Sequence, residues 1–281
     1  MPYPTVPGPY GLKPINLIGG QVFAGSTREL PIQYGYATNI FYGDFVVLSR
    51  GFATRAAIST GTGSNQVTGV FLGCSYTNPL TKQKQFSQYW PASTLAGDAV
   101  AIVCDDPDTV FKAVVCSSGT TVASGALALV GTNLSMIDNS TGNVNTGDST
   151  NAVLAPTATP VTTILPVRCV GVVPDTAYSF NATGSSSSTT ITLTGSGSPQ
   201  AIPVGTSVAY LASNGQVIQT SSFVSSAAVA GATSVTLNAA IAVPGSVTAI
   251  PASSTIIFTV YPEILVKMNL LVHGYYSSTT A

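Results

Sequence analysis

From Thr176 to Pro262 the chain carries no Asp, Glu, Lys or Arg. A folded form of so long a stretch must meet water through hydroxyls, amides and backbone groups, because it has no charge to expose. The pattern inside it says how. Thr190-Ile191-Thr192-Leu193-Thr194 and Ser234-Val235-Thr236-Leu237-Asn238 alternate apolar with hydroxyl or amide side chains, and Ile256, Phe258 and Val260 alternate within Thr255–Val260. Period two is the signature of a strand with one dry and one wet face, and the branched Cβ of Thr fits the pleat. Val208–Leu211 and Gln216–Gln219 flank Asn214-Gly215, which predicts a hairpin closed by a type I′ turn with positive φ at both central residues. Ser185–Ser188 reads as a linker.

Outside this stretch charge is present but scarce. Charged residues are 7% of 281, against about 25% in a typical soluble domain, and a net charge of -1 gives no basic surface for a phosphate backbone. Mean hydropathy is +0.39, yet Ser, Thr, Gly and Pro interrupt every apolar run before the roughly 20 residues a membrane-spanning helix needs. Neither nucleic acid nor a membrane is therefore expected as a partner. Strands are expected at Asp44–Ser49, Val67–Ser75, Ala99–Cys104 and Thr109–Val115, and again at Val167–Val173; the wholly apolar Ala99–Cys104 run reads as buried on both faces. Gly125–Val130 and Leu134–Asp138 are candidates to pair with one another, Asn139–Asn151 is a polar loop, and Pro156 and Pro160 bracket an extended link. No stretch sustains a 3.6-residue period with caps.

The expected fold is all-β: a short-stranded β-barrel or sandwich base (15–175 plus 262–276) with an inserted, charge-free β-sandwich-like unit (176–261). The reason is that Glu263–Leu270 regains the style of the first part of the chain. Two sequential domains split near residue 175 are the alternative. Residues 1–14 form a Pro-rich, polyproline-like arm, and its aromatic residues suit an arm laid across a neighbour. The contact set read from it is Tyr3, Pro4, Pro7, Pro9, Tyr10 and Lys13. The first residues have neither a basic n-region nor an apolar h-region, so synthesis in a cytoplasm without secretion is expected. Cys74, Cys104, Cys116 and Cys169 then read as reduced, buried side chains.

Chemistry-bearing residues are few. His273 is the one imidazole available to a catalytic triad, and neither a Gly-x-Ser-x-Gly elbow nor a phosphate loop accompanies it. Asp105, Asp106 and Asp108 cluster at a turn; they offer oxygen ligands for a hard cation, but in a spacing that equally makes an Asx/Pro turn. Nothing singles out Asp44, Asp98 or Glu29 as a pair of acids across a cleft. Trp90, within Gln88-Tyr89-Trp90-Pro91-Ala92, is either a sugar-stacking platform or a loop anchor. No enzyme activity, cofactor or metal is expected.

Several segments, taken in order, carry a resemblance: Gly11–Ile15, Ile32–Asp44, Val70–Tyr76, Gln88–Ala92, Asp105–Lys112, Val170–Val173 and Leu265–Asn269. Their order and style resemble the capsid decoration, or cement, proteins of tailed bacteriophages, those of marine and freshwater phages (cyanophages among them) included. The resemblance spans roughly residues 11–175 and 262–272. It implies a virion protein, made in the host cytoplasm, that binds the outer surface of an icosahedral head. It further implies the major capsid protein as partner, self-association as a homotrimer more often than a dimer, and capsid stabilisation as the role. A tail-fibre or adhesin-type module that binds host surfaces or glycans is the alternative reading, motivated by the hydroxyl-rich stretch and Trp90.

Overall fold

The computed structural model describes residues 6–17, 22–23, 25–58, 67–157, 165–186, 188–241, 249–269 and 273. The protein is all-β: among these residues the only helical elements are two three-residue 3-10 turns, Leu127–Leu129 and Pro174–Thr176. Strands of the first part are β1 (Lys13–Leu17), β2 (Arg28–Pro31), β3 (Phe45–Ser49), β4 (Phe52–Arg55), β5 (Gly69–Thr77), β6 (Lys84–Ser87), β7 (Val100–Cys104), β8 (Thr109–Ser118) and β9 (Thr121–Val122). Then come β10 (Asn133–Leu134), β11 (Met136–Ile137), β12 (Ala152–Leu154) and β13 (Val167–Val172). The uncharged stretch supplies β14 (Tyr178–Ser186), β15 (Thr190–Leu193), β16 (Ser207–Leu211), β17 (Val217–Phe223), β18 (Ser234–Thr236) and β19 (Ile250–Val260), after which β20 (Glu263–Met268) ends the set.

These strands form three sheets. One runs β10-β13-β20-β8-β12-β11, with β1 and β9 also on β8; a second runs β2-β7-β5-β3-β4, with β6 on β5; the third, β17-β16-β19-β14-β15-β18, is built wholly from residues 178–260. The chain therefore leaves the first sheet at the end of β13 and re-enters it as β20, which lies between β13 and β8 in antiparallel register. The first two sheets share the main core, where Phe45, Val70, Phe111, Leu134, Val266 and their neighbours are buried. Fully burying one such side chain stabilises by about 1.5–3 kcal/mol. A separate core under the second sheet collects Ile40, Phe71, Tyr76 and Trp90. The third sheet has its own core, in which Phe180 stacks on Phe258 at 5.4 Å.

The third sheet nevertheless joins the rest at a tight seam. Val204 and Phe223 belong to the main core. Ser124 N donates to Val204 O (2.9 Å), Leu127 N to Ser207 Oγ (3.0 Å), and Tyr261 N to Ser124 Oγ (2.9 Å). Gly205, at φ +83, lies so close that a Cβ there would sit 1.8 Å from Ser124 O, so only glycine permits this approach.

Four details differ from the sequence reading. Leu127–Leu129 is a 3-10 turn and not half of a hairpin; Leu129 plugs the main core, and β10 and β11 pair instead with β13 and β12. Ser185 and Ser186 complete β14 where a linker is expected, because Ser186 is buried between neighbours and its hydroxyl donates to Ser188 O (3.1 Å). The Asn214-Gly215 hairpin forms, but with a three-residue loop: Gly215 N donates to Ala212 O, Ala212 N donates to Gln216 O, and only Gly215 of the pair has positive φ. This is a type I turn closed by a glycine bulge. Finally, β7 is dry on one face only: Ala101 and Val103 are buried while Val100 and Ile102 are half-buried. The link bracketed by Pro156 and Pro160 falls mostly on residues outside the described set.

Candidate functional site

Alternation along β7 leaves a partly apolar outer face on the second sheet. Antiparallel register aligns Pro31 with Val100, Val100 with Ser75, and Ser75 with Phe86, so these side chains share one row and one face. Phe86 is 80% exposed, and Leu80, at the tip of the same β5–β6 hairpin, is 89% exposed. Tyr34 and Leu95 are two more exposed apolar groups beside this sheet, with Leu95 lying against Gly35. On its flank Lys84 pairs with Asp98 (3.2 Å), whose carboxylate also accepts Thr77 N–H (2.9 Å) and Thr77 Oγ–H (2.7 Å); these hydrogen bonds hold it below the usual carboxylate range.

The arm residues divide. Tyr3 and Pro4 lie outside the described residues; Pro7 is exposed and Pro9 half-buried. Tyr10 turns into its own chain: its hydroxyl donates to Glu263 Oε1 (2.5 Å), Lys13 Nζ sits 4.5 Å from its ring centroid, and Lys112 Nζ pairs with the same Glu263 (3.3 Å). Burial first, and then Glu263 as hydrogen-bond partner and charge, raise the Tyr10 phenol well above its ordinary range. Residues 11–14 are not free to reach a neighbour. Leu12 is fully buried in the main core, Lys13 and Pro14 open β1, and Lys13 also pairs with Asp148 (3.4 Å). A Leu between Gly and Lys after a proline run was the signal in the sequence that the arm ends before residue 12.

The other candidates resolve into supporting roles. Trp90 is fully buried, exchanges backbone hydrogen bonds with Ile40, donates Nε1–H to Tyr36 O (3.3 Å) and packs edge-on to Tyr76; no face is open to a sugar. The Asp105–Asp108 turn is an Asx turn, with Asp106 Oδ1 accepting Asp108 N–H (2.9 Å). Asp105 pairs with Arg28 (2.6 Å) and Asp108 with Lys267 (3.6 Å), so cationic side chains already occupy two of its carboxylates. Among the described residues no group of three or more His, Cys, Asp and Glu is placed to hold a metal. His273 is buried, with Nε2 3.0 Å from Asp105 O, and burial holds it below the usual histidine range. The four thiols are unpaired and buried, which pushes Cys74 up to about 12 and Cys116 and Cys169 up to about 11, far from nucleophilic thiolates at neutral pH.

What the sequence reading missed is the outer row itself. The signal was there in Lys84-Gln85-Phe86-Ser87, where alternation must put Phe86 on the same side as the solvated Lys84. No protein-family model matches the chain, and no curated protein matches its sequence.

Proposed function

We propose that this protein is a structural component of a virus particle, a cement protein that binds the outer surface of an icosahedral phage head and braces contacts between capsid subunits. The observation that carries the reading is the exposure of two large apolar side chains, Phe86 on β6 and Leu80 at the tip of the β5–β6 hairpin. Its weight comes from the rest of the surface. Six of the nine Lys and Arg, namely Lys13, Arg28, Arg55, Lys84, Lys112 and Lys267, are spent on ion pairs within the chain, while Arg50, Lys82 and Arg168 are exposed, so attachment rests mainly on apolar burial and neutral hydrogen bonds with few charges to add. Separating two subunits bridged in this way exposes apolar area at about 25 cal/mol per Å2, and many copies on one lattice act together through avidity. The all-β body supplies a block for such bracing. The sequence resemblance points to the same role.

The test is co-sedimentation of the recombinant protein with purified heads assembled without it. Binding that saturates, and that raises the temperature at which the heads release their DNA, is the expected result. Replacing Leu80 and Phe86 together by Ser should weaken binding at least tenfold without unfolding the protein. Folded wild-type protein that fails to sediment with heads, and is missing from mature particles, would sink the proposal. Deletion of residues 1–5 tests the arm's share, since a longer cut would remove Val6, which packs against Val114, Cys116 and Ile137, and then buried Leu12.

A further inference from the structure

The β5–β6 hairpin turns through residues 79–82, and Asn78 holds the shape of that turn. Its N–H donates to Gln83 O (2.9 Å) and its carbonyl accepts Lys82 N–H (2.9 Å). Its Oδ1 accepts Leu80 N–H (2.9 Å) and Thr81 N–H (3.3 Å), and its Nδ2 donates to Gln85 Oε1 (3.1 Å). The tip is therefore fixed in shape although Leu80, Thr81, Lys82 and Gln83 are all exposed. A tip whose backbone is already ordered loses little entropy when a partner closes on it.

Lys82 is the unexpected residue in it. Its φ of +59 lies in the left-handed region, which glycine enters freely and lysine only at a cost. Lys82 also makes no ion pair among the described residues, whereas Lys84 is held by Asp98 (3.2 Å). From Cys74 to Gly97 these two lysines are the only charged residues. The tip thus carries one unbalanced positive charge, two residues from a leucine that is 89% exposed. We propose, resting on the cement reading, that the tip is a preformed plug: Leu80 enters an apolar pocket on the capsid subunit, and Lys82 pairs with a carboxylate on the rim of that pocket. Glycine would suit the backbone at this position better, but it would bring no charge.

The two groups divide the work. Leu80 supplies most of the attachment, because a leucine buried fully gains more than an ion pair at the edge of an interface. Lys82 decides which pocket is accepted: a rim that carries a carboxylate attracts it, and a rim that carries a cation repels it. Arg50 is a control built into the same sheet. It too is exposed, makes no ion pair among the described residues and has a left-handed backbone, with φ +52, at the β3–β4 turn. Antiparallel pairing of Phe45 with Val70 and of Val46 with Gly69 puts that turn beyond the start of β5, at the opposite end of the sheet from Leu80.

Binding of the full chain to purified heads assembled without it, measured at low and high salt beside urea denaturation, tests this. Lys82→Gly should weaken binding about threefold at low salt and flatten its salt dependence. Its urea midpoint should stay at or above that of wild type, since φ +59 suits glycine. Lys82→Arg should bind as wild type does, and Lys82→Glu more weakly than Lys82→Gly at low salt. Arg50→Gly, which relieves the same backbone and removes the same charge, should also bind as wild type does. Lys82→Gly that binds as tightly as wild type at low salt overturns the proposal. So does an equal loss from Arg50→Gly, which would reduce the effect to net charge, and so does a loss in Lys82→Gly matched by a lower urea midpoint. Wild-type protein that does not bind heads at all overturns the cement reading and the plug with it, whereas wild-type binding that Lys82→Gly leaves intact overturns the plug alone.

Discussion

The charged part of the molecule and the uncharged third sheet solve one problem in two ways. Both contain irregular backbone that must be hydrogen-bonded once water is excluded. In the first two sheets ionised side chains reach in: Asp44 takes Phe41 N–H, Asp138 takes Ile58 N–H, and Arg55 balances both. In the third sheet neutral groups do the same work. Asn238 Oδ1 accepts Phe223 N–H (2.8 Å), and Thr220 Oγ donates to Val208 O (2.7 Å). A neutral partner costs less to bury but leaves less behind to go wrong, because an orphaned hydroxyl is far cheaper than an orphaned charge. The lesson is that the two regions should respond differently to loss of one polar group.

Three substitutions sharpen or break that contrast. Arg55→Ala should cost the most, about 3–5 kcal/mol in urea denaturation, because buried Asp44 and partly buried Asp138 both lose their cation; a loss under about 1 kcal/mol would mean that the network is not what holds β4 to residues 138–140. Gly205→Val attacks the seam that makes both regions one body. With backbone oxygen 1.8 Å from the new Cβ and φ at +83, a loss of about 3 kcal/mol is expected. Hydrogen exchange should then show the third sheet opening without the other two. Asn238→Ala should cost only about 1–2 kcal/mol, and an effect as large as that of Arg55→Ala would erase the distinction between neutral and charged pinning.

How much of this was legible in advance depends on the range of the interaction. The alternating stretches at Thr190–Leu193 and Thr255–Val260 became strands with Ile191, Leu193, Ile256, Phe258 and Val260 buried, because a two-residue period is a local property. Asn214-Gly215 announced a hairpin but not its loop, since Gln216 N bonds to Asn214 Oδ1 (3.0 Å) and Gly215 alone takes the left-handed conformation. The Ala99–Cys104 run misled because a strand of uniform hydrophobicity carries no record of which face is covered. That depends on whether another layer exists above it. Nor did the arm sequence tell that Tyr10 would fold back on Glu263, a partner 253 residues away.

The sequence by itself determined the local grammar of this protein: strands, and their wet and dry sides in the Thr-rich stretch. These follow from side-chain shape and solvation at neighbouring positions. Only the tertiary structure decided that Asp44, Arg55 and Asp138 converge, that Trp90 is sealed in and Phe86 held out, and that Gly205 seats one sheet on another. Each of those is a contact between residues far apart in the chain, and such contacts are chosen by the packing of whole layers, which no short window of sequence encodes.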